Sequence, residues 1–528
     1  MTSIDMPALN RALGLLPDQY RGPGGVAGVV KDGHIIARRA WGYADTGRRL
    51  AMTPALRMPI CSISKQMTCA LLLALFPDPE VLAPLLPDLL PRYRGQLPSV
   101  AQLCHNQSGL RDYWALTVLH GATPEGRFTE ADGLALLAQA EGGHFAPGTR
   151  YSYSNGNFRL LAELICRATG RDFGDLLDLH VFRPAGMPTA RLAANMALPL
   201  DGVRGYEGND EVGFLPAESA VTWFGDSGVA ASLDDMLAWE RHIDATRDDP
   251  AGLYNRISAP VTFADGNPSP YGYGLRRYQR GAHTLTGHGG GVRGFCSYRM
   301  HVAAERLSVV VIFNHEASAL RAAEGLMAAA LAAPPLPPPL PGQGWDGLWL
   351  DQKQDLFLRT SDAPGGVRLH YGASPVLLQP AGPTTAAAPG LQLQRKGDLL
   401  VMERRDENLT VRAERLKPVA YADASDIAGH HECAAMGTSL VIAAHDGAVS
   451  IGFEGMLGAG PMERMYPLAH DLWAVTSRRA MDAAPPGEWT LRIHRTATGA
   501  VEGLTLGCWL ARGLRYRGRT WQKLMRLS

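Results

Sequence analysis

The chain has 528 residues, more than one hydrophobic core organises, so two to four domains are expected. Apolar residues make up 46% and charged residues 19%, a globular composition. Lys plus Arg balances Asp plus Glu at 51 each, which leaves no basic excess to attract nucleic acid. The opening Met1-Thr2-Ser3-Ile4-Asp5-Met6 lacks a basic start followed by an apolar stretch, and no apolar run reaches the roughly eighteen residues of a membrane span; neither a signal peptide nor a membrane partner is expected. Seven cysteines stand singly, without a C-x-x-C pair, and read as reduced core thiols of a cytoplasmic protein; no disulfide framework, metal or cofactor is expected.

In chain order, residues 26–31 and 34–41 read as strands joined by Asp32-Gly33, a strong hairpin signal. An apolar helix starts near Ser62 and runs through Met67 to Phe76. A short helix over 100–105 has Ser99 as its N-cap, and another starts at Asn157 and closes at Gly170. Strand patterns return at 273–278, 295–300 and 307–313, followed by an Ala- and Leu-rich helix over 317–331. Early and late strands with helices between them imply one antiparallel sheet closed by both ends of a first domain, residues 1–332, with a helical lobe inserted. The proline-rich stretch 333–344 is a semi-rigid spacer. Beyond it, short strands and turns suit two all-β antiparallel barrels or sandwiches, 345–418 and 419–528.

Ser62 and Lys65 are three residues apart, so a hydroxyl and an amine share one helix face. Ser62 is a nucleophile only if a group takes its proton, and a partly buried Lys65 loses enough proton affinity to do so. The bland alternative is a capping serine beside a solvated lysine. Tyr153 follows a turn-rich loop and is placed to relay a proton; Asn155 either holds Lys65 or a substrate carbonyl, caps a helix, or does both. His288-Gly289-Gly290-Gly291 precedes a strand pattern. Its glycines let a substrate lie along a strand edge, the N–H groups of Ser62 and Gly291 are candidates for an oxyanion hole, and His288 is an electrostatic or hydrogen-bonding group at the floor of the site. The alternative is a glycine-rich hairpin with an incidental histidine.

These three motifs, together with Leu103-Cys104-His105-Asn106-Gln107-Ser108-Gly109-Leu110, Phe145-Ala146-Pro147-Gly148 and Pro184-Ala185-Gly186-Met187, resemble the serine β-lactamase and penicillin-recognising superfamily in its branch with Y-x-N and H-x-G motifs. With two β-modules after a proline linker, the whole chain resembles the D-stereospecific aminopeptidases of that superfamily. The resemblance implies a β-lactamase-like α/β catalytic domain followed by two eight-stranded barrels, and a homodimer. It implies hydrolysis of an N-terminal D-residue from short peptides and amides through an acyl-Ser62 intermediate, with β-lactams as possible inhibitors. It also implies that a loop of the last barrel, residues 477–487, reaches the active site. A carboxylate there would receive the substrate's free ammonium, and Asp482 is the candidate; otherwise it is a plain loop aspartate. A D,D-carboxypeptidase, β-lactamase or esterase on the same machinery is the alternative enzyme, and a non-catalytic ligand sensor is the alternative of another class. A carboxypeptidase would want a permanent cation at the third motif, where this chain has His288.

Overall fold

The computed structural model describes residues 4–333, 339–372, 374–477, 481 and 488–518. Its first domain is built on a mixed-length antiparallel sheet whose strands are β1 Gly24–Lys31, β2 His34–Asp45, β3 Leu50–Ala51, β4 Tyr271–Gly272, β5 Leu275–Arg280, β6 His283–Val292, β7 Phe295–Val302 and β8 Leu307–Phe313. The spatial order is β4-β5-β6-β7-β8-β1-β2-β3, so the first and last segments of the domain meet at the β8–β1 pair, Gly25 opposite Phe313. Every residue of β1 and of β8 is buried, as expected for strands covered on both faces. Asp32 and Gly33 both adopt positive φ, 51° and 75°, the geometry of a type I′ turn matched to the strand twist.

Helix α1, Met6–Gln19, and helix α2, Ser64–Leu75, lie on opposite faces of this sheet. Leu9, Leu13 and Leu16 of α1 pack with Ala27, Val309, Val311 and the final helix of the domain, Ala319–Ala330. The other face carries α2, α3 Tyr113–Leu119, α4 Asn155–Thr169 and α5 Leu233–Ala245 in one large apolar cluster. Beneath the sheet, Arg299 of β7 meets Glu240 of α5 in a bidentate pair, Nε–Oε1 2.7 Å and Nη2–Oε2 2.6 Å, with both side chains fully buried.

Three sequence expectations are corrected here. The segment His288–Gly291 does not precede a strand; it lies inside β6. The expected strand over 273–278 is broken, because Tyr273 and Gly274 turn at φ 49° and 73° between β4 and β5. Helix α4 starts at Asn155, two residues before the expected Asn157, with Ser154 at the cap position. The N-terminal helix α1 was not anticipated from the sequence; Asp5 caps it by accepting the Ala8 N–H at 2.9 Å.

Both later modules are barrels. In the first, eight antiparallel strands from Gly347–Asp351 to Leu409–Arg415 close when the first pairs with the last, Trp349 opposite Arg415. Trp349, Leu358, Leu369, Leu393 and Met402 fill its interior. In the second, strands from Gly429–Cys433 to Leu514–Gly518 form an eight-membered ring closed through the pairing Leu440 to Phe453, with a two-residue strand Gly458–Ala459 at its edge. The second barrel's Phe453, Trp489 and Leu510 belong to the same apolar cluster as the helices of the first domain. At that junction a Cβ on Gly121 would sit 2.1 Å from the Gly458 carbonyl oxygen, and φ there is +79°, so only glycine permits the approach.

Candidate active site

Ser62 lies in a single 3₁₀ turn, Cys61–Ile63, that runs directly into α2. Cys61, immediately before it, is fully buried and holds φ 53°, a left-handed conformation that a non-glycine residue keeps only when its surroundings enforce it. Strand β6 provides that enforcement. A Cβ on Gly290 would meet Cys61 Cβ at 2.5 Å and the Ile60 carbonyl oxygen at 2.7 Å, and Ser297 of β7 donates to the same carbonyl at 2.8 Å. Gly290 is thus required for packing the strand against the serine turn. Gly291, by contrast, faces open space, and a Cβ there would touch nothing within 4 Å.

Strand β5 pairs with β6 only as far as Arg276 opposite Gly287, so residues 288–292 present one unpaired edge. The two-residue turn Arg293-Gly294 makes Val292 and Phe295 the first hydrogen-bonded pair of the β6–β7 hairpin. Alternation from there turns the N–H groups of Gly291 and Gly289 toward the open edge. A cleft of about 640 Å³ borders this edge, lined by Ser62, Trp114, Tyr153, Asn155, His288 and residues 289–291 among others.

Lys65 is fully buried, and its ammonium makes three hydrogen bonds: to Ser62 Oγ at 3.1 Å, to Asn155 Oδ1 at 2.7 Å and to the Asp226 carbonyl oxygen at 2.7 Å. Tyr153 donates its phenolic proton to Ser62 Oγ at 2.9 Å. Burial lowers the Lys65 pKa to about 8, against the opposing pull of the Asp226 and Asp112 carboxylates. Burial also raises the pKa of Tyr153, keeping it a phenol. Asn155 is oriented from behind: Asp112 accepts its backbone N–H at 2.7 Å and its Nδ2 at 3.3 Å, which fixes Oδ1 toward Lys65. Desolvation raises Asp112 to about 6 and raises Asp226 as well, whose side chain accepts from the Tyr113 hydroxyl.

His288 is not a cation. Burial, and then the Lys65 charge, lower its pKa to about 3. Its Nδ1 contacts the Gly289 carbonyl oxygen and so must carry the proton, which leaves Nε2 to accept from Tyr271 Oη at 2.9 Å. Of the expected site residues, Ser62, Lys65, Tyr153 and Asn155 therefore form one hydrogen-bonded network, and His288, Gly289, Gly290 and Gly291 line the same cleft. Asp482 lies outside the described residues. Of its loop, Met481 is described; it is buried and packs with the apolar cluster of the catalytic lobe.

Several contributors carried no sequence signal. Asp112 and Asp226 are single loop carboxylates whose importance comes from burial against Lys65. Pro389 and Asp406 of the first barrel line the cleft, as does Arg276 of β5. The first barrel is held there by the Tyr151 N–H to the Glu407 carbonyl at 3.3 Å and by Asn408 Nδ2 to the Thr149 carbonyl at 3.0 Å.

A family model for β-lactamase matches residues 9–333, and one for D-aminopeptidase, domain B, matches residues 340–517. Fold, family and site together define an enzyme of the penicillin-recognising, β-lactamase-like serine hydrolase class. The chain is 51% identical over 516 residues to a D-aminopeptidase of Cereibacter sphaeroides, covering 97% of this chain and 99% of that one. It is 47% identical over 520 residues to a D-aminopeptidase of Brucella canis, covering 98% and 100%. The octameric penicillin-binding protein homologue from Pyrococcus abyssi shares the fold, with a TM-score of 0.55 at 17% identity over 78% of this chain and 100% of that one. The chain belongs to the D-aminopeptidase family.

Proposed function

We propose that this protein is a D-stereospecific serine aminopeptidase that releases an N-terminal D-residue from short peptides and amides through an acyl-Ser62 intermediate. The observation that carries the reading is the pair of proton-handling groups on Ser62 Oγ, Lys65 on one side and Tyr153 on the other. Asn155 Oδ1 and the Asp226 carbonyl are obligate acceptors, so a neutral Lys65 amine spends its two N–H bonds on them and turns its lone pair to Ser62. Ser62 Oγ then attacks the substrate carbonyl carbon as its proton passes to Lys65. The oxyanion is received by the N–H groups of Ser62 and Gly291. Tyr153 passes its proton to the departing nitrogen and recovers one from protonated Lys65 as the C–N bond breaks, so both groups return to their starting states. Water repeats the sequence on the ester, releasing the D-amino acid. His288 acts as a neutral group that fixes Tyr271 and the cleft floor, and Asp482 remains the proposed receiver of the substrate ammonium.

The test compares D-Ala-p-nitroanilide with its L form and its N-acetylated form. Fast turnover of the unblocked D substrate alone is expected, with Ser62→Ala and Lys65→Ala each lowering kcat by at least about 1000-fold. Equal turnover of the L form, or retained activity in Ser62→Ala, overturns the reading. One observation favours the D,D-carboxypeptidase alternative: Arg276 places a permanent cation in the cleft, and its hydrogen bond goes to Tyr151 Oη at 3.5 Å rather than to a carboxylate. An N-acylated peptide ending in D-Ala-D-Ala discriminates the two, since only the alternative cleaves it. The same experiment, run with penicillin, measures whether β-lactams acylate Ser62. A homodimer and a cytoplasmic location complete the proposal. The location is supported by the seven free thiols, and light scattering tests the dimer. Among the described residues no single helix is long and apolar enough to cross a membrane.

A further inference from the structure

A second cavity, of about 600 Å³, lies where the catalytic domain meets both barrels, and it shares no lining residue with the Ser62 cleft. Its walls come from residues 111, 143–146 and 149–150 of the catalytic domain, 353–355 of the first barrel and 512–513 of the second. Four cations face it: Arg111, Arg150, Lys353 and Arg512. None of them has a carboxylate partner among the described residues. Arg111 donates only to carbonyls, those of Gly142 at 2.9 Å and Arg512 at 3.0 Å. The one carboxylate in the lining, Asp355, is engaged by Arg492 at 2.8 Å. The nearby Asp351 accepts from Tyr371 Oη at 2.8 Å, and Glu407 is paired with Arg404.

Arg512 is the decisive group. It is 3% exposed, its Nε donates to the Trp509 carbonyl at 3.1 Å and its Nη1 to Gln354 Oε1 at 3.3 Å. Its Nη2 is buried and has no hydrogen-bond partner among the described residues. An unpaired buried guanidinium nitrogen is costly unless an acceptor completes it. His144, also lining the cavity, adds no charge, because burial and the surrounding arginines hold it neutral. Four cations without a carboxylate partner among the described residues, one of them a buried guanidinium with an unbonded Nη2, are chemistry suited to a multivalent oxyanion.

We propose that this cavity binds a phosphate-type oxyanion, held by Arg111, Arg150, Lys353 and Arg512, which ties the catalytic domain to both barrels. The ligand bridges three parts of the chain, so it stabilises the assembled fold by mass action. The proposal is independent of what Ser62 hydrolyses. Inorganic phosphate and pyrophosphate are titrated calorimetrically into the full chain in chloride at constant ionic strength, and the unfolding temperature is followed in parallel. One saturable site per chain and a rising Tm are expected. Arg150→Gln, at a half-buried position, and Lys353→Gln, at an exposed one, each weaken binding by at least about tenfold. Arg512→Met abolishes it; should that variant fail to fold, the other two carry the test. Tighter binding of pyrophosphate assigns the site to diphosphate-bearing ligands, and tighter binding of phosphate to the free ion. No saturable binding of either probe, or binding unchanged in both Arg150→Gln and Lys353→Gln, overturns the proposal.

Discussion

At the scale of single residues, burial sets the proton affinities of the candidate site against one another. Lys65 is brought to about 8 by desolvation, while Tyr153 is pushed above its ordinary value and stays protonated. The proposed base must be neutral, so kcat at saturating unblocked D-substrate should rise with pH through about 8, whereas kcat/KM should turn down again as the substrate's own ammonium, with a pKa of about 7.7–8.0, loses its proton. A pH–rate profile checks this, and a profile flat across that rise would remove Lys65 as the base. Tyr153→Phe keeps the ring but removes the phenol that touches Ser62 Oγ. It should lower kcat by about 100- to 10,000-fold for amides, and by less for esters, whose leaving groups need a proton less. The comparison of amide with ester kinetics decides between a proton relay and mere support of the serine.

At the scale of elements, the site depends on how α2, α4, β6 and the Cys61–Ile63 turn are pressed together. The buried pair Arg299–Glu240 joins β7, the neighbour of β6, to α5. Glu240→Gln leaves an uncompensated guanidinium under the sheet and should cost about 3–5 kcal/mol of stability, measured by denaturant unfolding. A loss under about 1 kcal/mol would mean that Tyr254 Oη, which already accepts from Arg299 at 2.7 Å, suffices as partner. The first barrel contributes Asp406 of the turn Arg405–Glu407 to the cleft wall. Asp406→Asn should shift KM for substrates of different charge beyond the scissile bond while leaving Tm within about 1 °C, because the side chain is partly exposed and makes no ion pair among the described residues.

For the whole molecule, the catalytic lobe and the second barrel share one apolar cluster, whereas the first barrel has its own interior. Scanning calorimetry should therefore show the catalytic domain and the second barrel unfolding in one cooperative transition. The hydrogen bonds from Asp112 N to the Leu510 carbonyl at 3.1 Å and from Leu457 N to the His120 carbonyl at 3.0 Å cross the same boundary. A well-separated transition for the second barrel would show that this shared cluster does not couple them.

The sequence by itself determined the elements whose causes are local. Asp32-Gly33 specified its turn, the strand of residues 307–313 was legible from its β-branched and apolar run, and the i to i+3 spacing joined Ser62 to Lys65. Motif order and texture were enough for the fold class and for naming most of the expected residues that line the one cleft. What tertiary structure decided has no local cause. Three successive glycines argue against a strand, yet β6 runs through them, because the close approach of Cys61 leaves no room for a side chain at Gly290. Asp112 and Asp226 look like ordinary loop carboxylates until burial places them around Lys65. The first barrel's place in the cleft, and the four cations gathered from three parts of the chain, depend on surfaces that meet only when the domains are assembled. Pattern reports what a residue does to its own segment; desolvation and close approach are set by residues hundreds of positions away.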